Sequence, residues 1–102
     1  VNLMQLIEHA PHFWELYQDD QQLYLAIAVD MSSVVSCWEL VLTQQQIQNY
    51  WQQGCDSIHH LTKSIIDAVY RGDFSYLEQH QVSEEVKAAM QNAFLHWRAQ
   101  NN

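Results

Sequence analysis

The sequence predicts an α+β fold: a small antiparallel sheet of two or three strands with helices packed on one face, in the order α-β-β-β-α-α. Three observations predict it. Residues 23–29 (LYLAIAV) and 34–43 (VVSCWELVLT) are β-rich, alternate in polarity and flank a short polar turn. Apolar residues then recur every three or four positions from Ile47 to Val69. A second helical stripe, Val86, Met90, Ala93, Phe94 and Trp97, follows Ser83-Glu84-Glu85. The chain has 102 residues, 48% of them apolar, which is enough for one domain around one core.

At the N-terminus, Leu3, Leu6, Ile7 and Ala10 fall at helical spacing, and a short helix is expected there, ended by Pro11. Residues 12–18 read two ways. A helical turn would put Phe13, Trp14 and Tyr17 on one face. A strand would set Phe13, Glu15 and Tyr17 against Trp14 and Leu16. The Asp19-Asp20 turn signal that follows favours the strand. In the next strand Leu23, Leu25, Ile27 and Val29 share a face, with Tyr24, Ala26 and Ala28 opposite. After a turn at Asp30-Met31-Ser32-Ser33 the returning strand places Val34, Ser36, Trp38, Leu40 and Leu42 on one side. Val35, Cys37, Glu39 and Val41 take the other.

Thr43 with Gln46 makes a capping box, and Leu42 with Ile47 a hydrophobic staple. They predict one helix over 44–71, closed by Gly72. Gly54 inside it costs on the order of 1 kcal/mol relative to Ala. It marks either a close backbone approach or a kink, and the sequence leaves both open. Lys63–Asp67 and Asp67–Arg71 are i,i+4 pairs on its outer face. Residues 73–82 read as a linker with a short turn at 74–77, before the Ser83-capped helix.

The first 62 residues contain no Lys or Arg but hold seven carboxylates: Glu8, Glu15, Asp19, Asp20, Asp30, Glu39 and Asp56. With a net charge of −8, this surface repels nucleic acid and anionic membrane and attracts basic partners. Two glycines exclude a glycine-rich phosphate loop. No basic segment precedes an apolar one as in a secretory signal, and the apolar run 23–29 is too short for a bilayer. The expected compartment is therefore the cytoplasm. The chain opens on Val1, so its native start is expected upstream or trimmed. Cys37 and Cys55 read as free thiols, Cys37 buried on its strand; a bridge between them is not required.

Cys55 and His59 share a helical face beside His60, and His9 and His12 could add ligands, but no recognised metal-ligand spacing is present. Histidines flanking an apolar stripe are more often half-exposed surface residues, so no cofactor is expected. A nucleophile built from Cys37 or Cys55 with a histidine lacks any known flanking signature. Asp19-Asp20 and Glu84-Glu85 are more simply a turn and helix N-terminal charge. No catalysis is expected.

Tyr and Trp beside carboxylates are what a binding hot spot needs. Tyr17, Asp19, Asp20 and Tyr24 form one candidate patch; Asp30 and Glu39 form another. The segments WELYQDD, QLYLAIAVD and SSVVSCWELVLT, with a Thr-capped helix carrying Tyr50 and Gly54, resemble small acidic bacterial immunity proteins of polymorphic or contact-dependent growth inhibition toxin systems. That resemblance implies binding to a cognate toxin domain, often a basic nuclease, at or near its active site. It carries over no functional residue. The expectation is a non-enzymatic inhibitor that contacts a basic toxin through Asp19, Asp20, Asp30 and Glu39, with Tyr17 or Tyr24 as aromatic anchor. The alternatives are a generic acidic interaction or adaptor domain, including a homodimer through an edge strand or the last helix, and a small metal-dependent or cysteine enzyme.

Overall fold

The computed structural model describes residues 3–11, 13–20, 22–31 and 34–101; Val1, His12, Ser32 and Ser33 lie outside them. The α+β class holds, but the expected order α-β-β-β-α-α does not. Strands β1 (Gln5–Ala10), β2 (Trp14–Gln18), β3 (Leu23–Met31) and β4 (Val34–Val41) come first. Helices α1 (Gln44–Gln53), α2 (Cys55–Tyr70), α3 (Ser75–His80) and α4 (Glu84–Gln100) follow. The strands form an antiparallel meander in chain order, β1-β2-β3-β4, so the sheet has four strands rather than two or three.

The expected N-terminal helix is the strand β1. An isolated helix of that length is marginal in water, whereas the edge of β2 supplies a row of backbone partners. The helical spacing survives because the register between β1 and β2 shifts between Leu6 and Glu8. That bulge resets the alternation. Leu6 packs with one core cluster, while Ile7 and Ala10 pack with the other. Residues 14–18 are a strand, as the Asp19-Asp20 signal favours.

Helices cover both faces of the sheet, not one. Leu16, Leu25, Ile27, Val29 and Leu40 point to the face packed by α1, α2 and α3, where Ile58, Ile65, Val69 and Leu77 close the larger core. Tyr17, Tyr24 and Val41 point to the opposite face, where Met90 and Ala93 of α4 close a smaller core. Both faces of β2 and β3 thus carry apolar residues. That pattern reads as a sheet buried on both sides rather than one half exposed to water.

Thr43 and Gln46 form the expected capping box: Gln46 N–H donates to Thr43 Oγ1 at 3.2 Å and Thr43 N–H to Gln46 Oε1 at 2.9 Å. The single helix over 44–71 is corrected to two. Gly54 separates them at φ +70° and ψ −149°, a region essentially confined to glycine. A Cβ there would meet nothing within 4 Å. Backbone conformation, not a close approach, is therefore what requires glycine. Gly72 ends α2 as expected, at φ +86°, with Asp73 N–H reaching back to the Ala68 carbonyl at 2.9 Å.

Residues 73–82 are not a linker. They carry α3, whose Leu77 is fully buried, and Gln81 bridges to Leu40 at the edge of β4. Ser83 caps α4, accepting from Val86 N–H at 3.2 Å. Among the described residues, no helix is long and apolar enough to cross a membrane.

Candidate functional site: an acidic groove beside α4

Strand alternation places Glu15 and Tyr17 of β2 on the α4 face, because Trp14 and Leu16 take the opposite one. The same rule puts Ala26 and Ala28 of β3 and Cys37, Glu39 and Val41 of β4 on that face. Register then aligns them: His9, Glu15, Ala26 and Glu39 lie side by side across all four strands. The next row, Leu6, Tyr17, Tyr24 and Val41, lies beneath α4. The row of Ala28 and Cys37 lies on the other side, and Cys37 is exposed. Cys37 is therefore not the buried thiol expected from its apolar neighbours.

The Glu15–Ala26–Glu39 row borders a cleft of about 390 Å³ between the sheet and α4, whose far wall is Met90, Phe94 and Leu95. A smaller hollow of about 150 Å³, reaching Phe13, Ala28 and Cys37, shares the same three residues. Two carboxylates thus flank an alanine floor that leaves room above it. The Tyr17 hydroxyl donates to Glu15 Oε1 at 2.7 Å. Glu39 Oε1 lies 3.7 Å from the Lys87 ammonium, and its side chain is 15% exposed. Aliphatic carbon can rest on Met90, Phe94 and Leu95 while a cationic head meets the carboxylates. This suits the side chain of Lys or Arg, whose stems bury and whose heads stay polar.

Burial first, then the Glu15 hydrogen bond and the charges of Glu15 and Glu39, hold the Tyr17 hydroxyl protonated well above the usual tyrosine range. Tyr50, which donates to Glu8 Oε2 at 2.7 Å, is raised in the same way by burial and then by Glu8. Tyr24 is pushed up to about 12 by burial, then by its hydrogen bond to Asp19. Below about pH 10 these hydroxyls are protonated in both folded and unfolded chains, and their full contribution is present. Above it the unfolded chain loses its protons first, so stability falls as pH rises toward 12 and beyond. The urea midpoint is therefore expected to drop between pH 9 and pH 11. A midpoint unchanged over that interval would contradict the burial of these hydroxyls.

Of the six residues expected to contact a partner, Tyr17, Asp19, Asp20 and Tyr24 stay together around the β2–β3 turn, whereas Asp30 and Glu39 are separated along the sheet. Tyr17 and Tyr24 are 2% and 7% exposed, so neither ring stands out as an anchor. Asp19, at 7% exposed, closes the β2–β3 turn: Oδ1 accepts from Gln22 N–H and Oδ2 from the Tyr24 hydroxyl, both at 2.8 Å. Asp20 is exposed at the same turn, and Asp30 is exposed at the far end of β3. Asp30 pairs with Val35 and Glu39 with Ala26. The two acids therefore lie about 13 Å apart along the strands rather than in one patch. Of the six, Glu39 and the Tyr17 hydroxyl reach the groove. Glu15 was not singled out in the sequence, and neither was Trp51, 61% exposed on α1.

Among the described residues, no three His, Cys, Asp or Glu side chains converge to hold a metal. The imidazole of His59 instead accepts a hydrogen bond from Trp14 Nε1 at Nδ1, 3.0 Å, and stacks on Phe13. Burial, then the Glu8 carboxylate, pushes the Cys55 thiol up, which keeps it protonated and a poor nucleophile. Compared with known proteins, the chain matches no family model, no curated protein and no solved structure.

Proposed function

We propose that this chain is a non-enzymatic binding protein that captures a basic protein partner in the groove beside α4, as an immunity protein neutralises a cognate toxin domain. The observation that carries this reading is the Glu15–Ala26–Glu39 row. It sets two carboxylates above a small-residue floor and opposite an apolar wall. A basic side chain entering there exchanges water for carbon along its stem and gains charge-assisted hydrogen bonds at its head. The cation-free first 62 residues support it further, since a one-signed surface steers an oppositely charged partner into encounter. Cytoplasmic residence goes with this role, because an inhibitor of this kind meets its toxin inside the producing cell.

The test compares tagged wild type with E15K/E39K as bait in the source cells. One stoichiometric basic protein is expected on the wild type at physiological salt. The double reversal is expected to weaken its binding by about 100-fold or more, the scale of losing closely paired interfacial charges. Expressed alone, that partner is expected to arrest growth, and co-expression of this chain to restore it. A partner held equally by both baits would rule out the groove. A partner that is harmless alone would leave a binding module with no toxin to neutralise.

A further inference from the structure

The two edges of the sheet differ. β1 is bulged between Leu6 and Glu8, carries the Glu8 charge and lies beside α4. Bulges and charges of that kind discourage another strand from pairing there. β4 runs in unbroken register with β3 from Val34 to Val41 and carries no Lys, Arg or Pro. Its outer edge is occupied at one end: Val82 N–H donates to the Glu39 carbonyl at 3.0 Å, and Gln81 bridges to Leu40. Among the described residues, nothing pairs with that edge from 34 to 38. Strand geometry fixes which groups stand on it. Leu42 N–H donates to the Leu23 carbonyl, so the even-numbered residues of β4 bond to β3. Val35, Cys37 and Glu39 present their backbone groups outward. With the Glu39 carbonyl taken, Val35 and Cys37 remain as a matched pair of open positions. Val34 and Val35 are 62% and 61% exposed, and Cys37 is exposed too. The exposed Tyr70 reaches the same hairpin, its hydroxyl donating to the Asp30 carbonyl at 3.0 Å.

We propose that this edge pairs with the same edge of a second copy of the chain, β4 against β4 in antiparallel sense about a twofold axis at Ser36. Val35 of one copy then exchanges backbone hydrogen bonds with Cys37 of the other, and the symmetric pair does the same across the axis. Ser36 faces Ser36, and Val34 faces Trp38. Three observations select a second copy as the occupant. A row of backbone donors and acceptors is satisfied by an extended strand, not by a helix or a lone side chain. The open run starts with β4 at Val34 and stops where Val82 holds Glu39, so its midpoint is Ser36 and it is complementary to itself. Residues 34–38 (VVSCW) carry no charge, and this register keeps the two Glu39 carboxylates about 20 Å apart along the strands, so a chain of net charge −8 can approach itself there. The facing side chains also suit each other, since β-branched residues opposite aromatic ones are favourable cross-strand pairs. An axis at Cys37 would instead set Val35 against Glu39, whose carbonyl Val82 occupies. This pairing does not depend on a basic partner. It does give the groove a consequence: the axis runs through the sheet, so two sheets become one and both α4 helices stand on the same face.

The test is sedimentation equilibrium of the whole chain from about 1 μM to about 1 mM, because one short strand pair makes a small interface and such interfaces associate weakly. Wild type is expected to pass from monomer toward dimer within that range. V35P removes an outward N–H and no bond to β3, a position where an edge strand accepts proline. It is expected to weaken dimerisation about tenfold or more, with its urea midpoint reporting an intact fold. A second variant reads a gain. In S36C/C37S the side chains at position 36 form a non-hydrogen-bonded pair, with Cα atoms about 4.5 Å apart, within the span of a disulfide. Mild oxidation is expected to convert it to a covalent dimer. In wild type the two Cys37 residues lie on a diagonal of about 7–8 Å, too far to bridge without backbone movement. A wild type that stays monomeric across the range, or a folded V35P that dimerises as wild type does, would overturn the pairing. Rapid bridging through Cys37 with S36C/C37S unreactive would overturn it too. If V35P does not fold, the S36C/C37S result decides.

Discussion

Replacing Leu77 with alanine is expected to destabilise the protein by about 2–5 kcal/mol, the range for truncating a fully buried leucine where the surroundings cannot collapse into the space. Leu77 is 0% exposed and is the buried residue of α3, a helix of six residues. So short a helix has little stability of its own. Its place is held by this side chain in the core with Leu40, Ile65 and Val69. The Gln46 side-chain amide donates to the Tyr76 hydroxyl, tying α1 to α3. Val82 N–H donates to the Glu39 carbonyl at 3.0 Å, tying the following residues to β4. Urea unfolding of L77A, with the exposed E78A as control, reads the effect. The control is expected within about 0.5 kcal/mol of wild type. An equally small loss for L77A would mean that residues 73–82 are the linker their sequence resembles.

Alanine at Asp19 is expected to cost about 2–4 kcal/mol, since two donors would lose a charged acceptor at a site sheltered from water. Gln22 N–H and the Tyr24 hydroxyl each lie 2.8 Å from one of its oxygens. Asparagine keeps one acceptor oxygen and is expected to recover part of the loss. The consequence for binding work is direct. Reversing Asp19 and Asp20 together would loosen the β2–β3 turn as well as change the surface, so lost affinity could not be assigned to either cause. A denaturation midpoint for D19A equal to wild type would instead return Asp19 to the role of partner contact.

What was legible in the chain was whatever acts over a few residues. The Thr43–Gln46 capping box, the closure at Gly72 and the Ser83 cap each join groups three to five residues apart, and each is present. Alternation within β3 and β4 correctly put Leu25, Ile27 and Leu40 on one face and Glu39 on the other, because strand geometry has a period of two.

Features that depend on distant partners were not legible. The bulge in β1 imitates helical spacing, and only pairing with β2 distinguishes the two. Gly54 is compatible with a continuous helix until its backbone angles are known. Glu15 acquires its meaning from register, which sets it across Ala26 from Glu39, 24 residues away in sequence. Tyr17 and Tyr24 resemble surface anchors until α4 covers them, and Trp51 resembles a core residue until α1 leaves it outside. By itself, the sequence determined the composition of the surface, the caps and the strand faces, since these follow from charge, hydrogen-bonding capacity and local geometry. Tertiary structure alone decided which acids stand together and which aromatics meet water. Burying both faces of one sheet at once selects a single register and a single path for α4, and the groove is what that path leaves open.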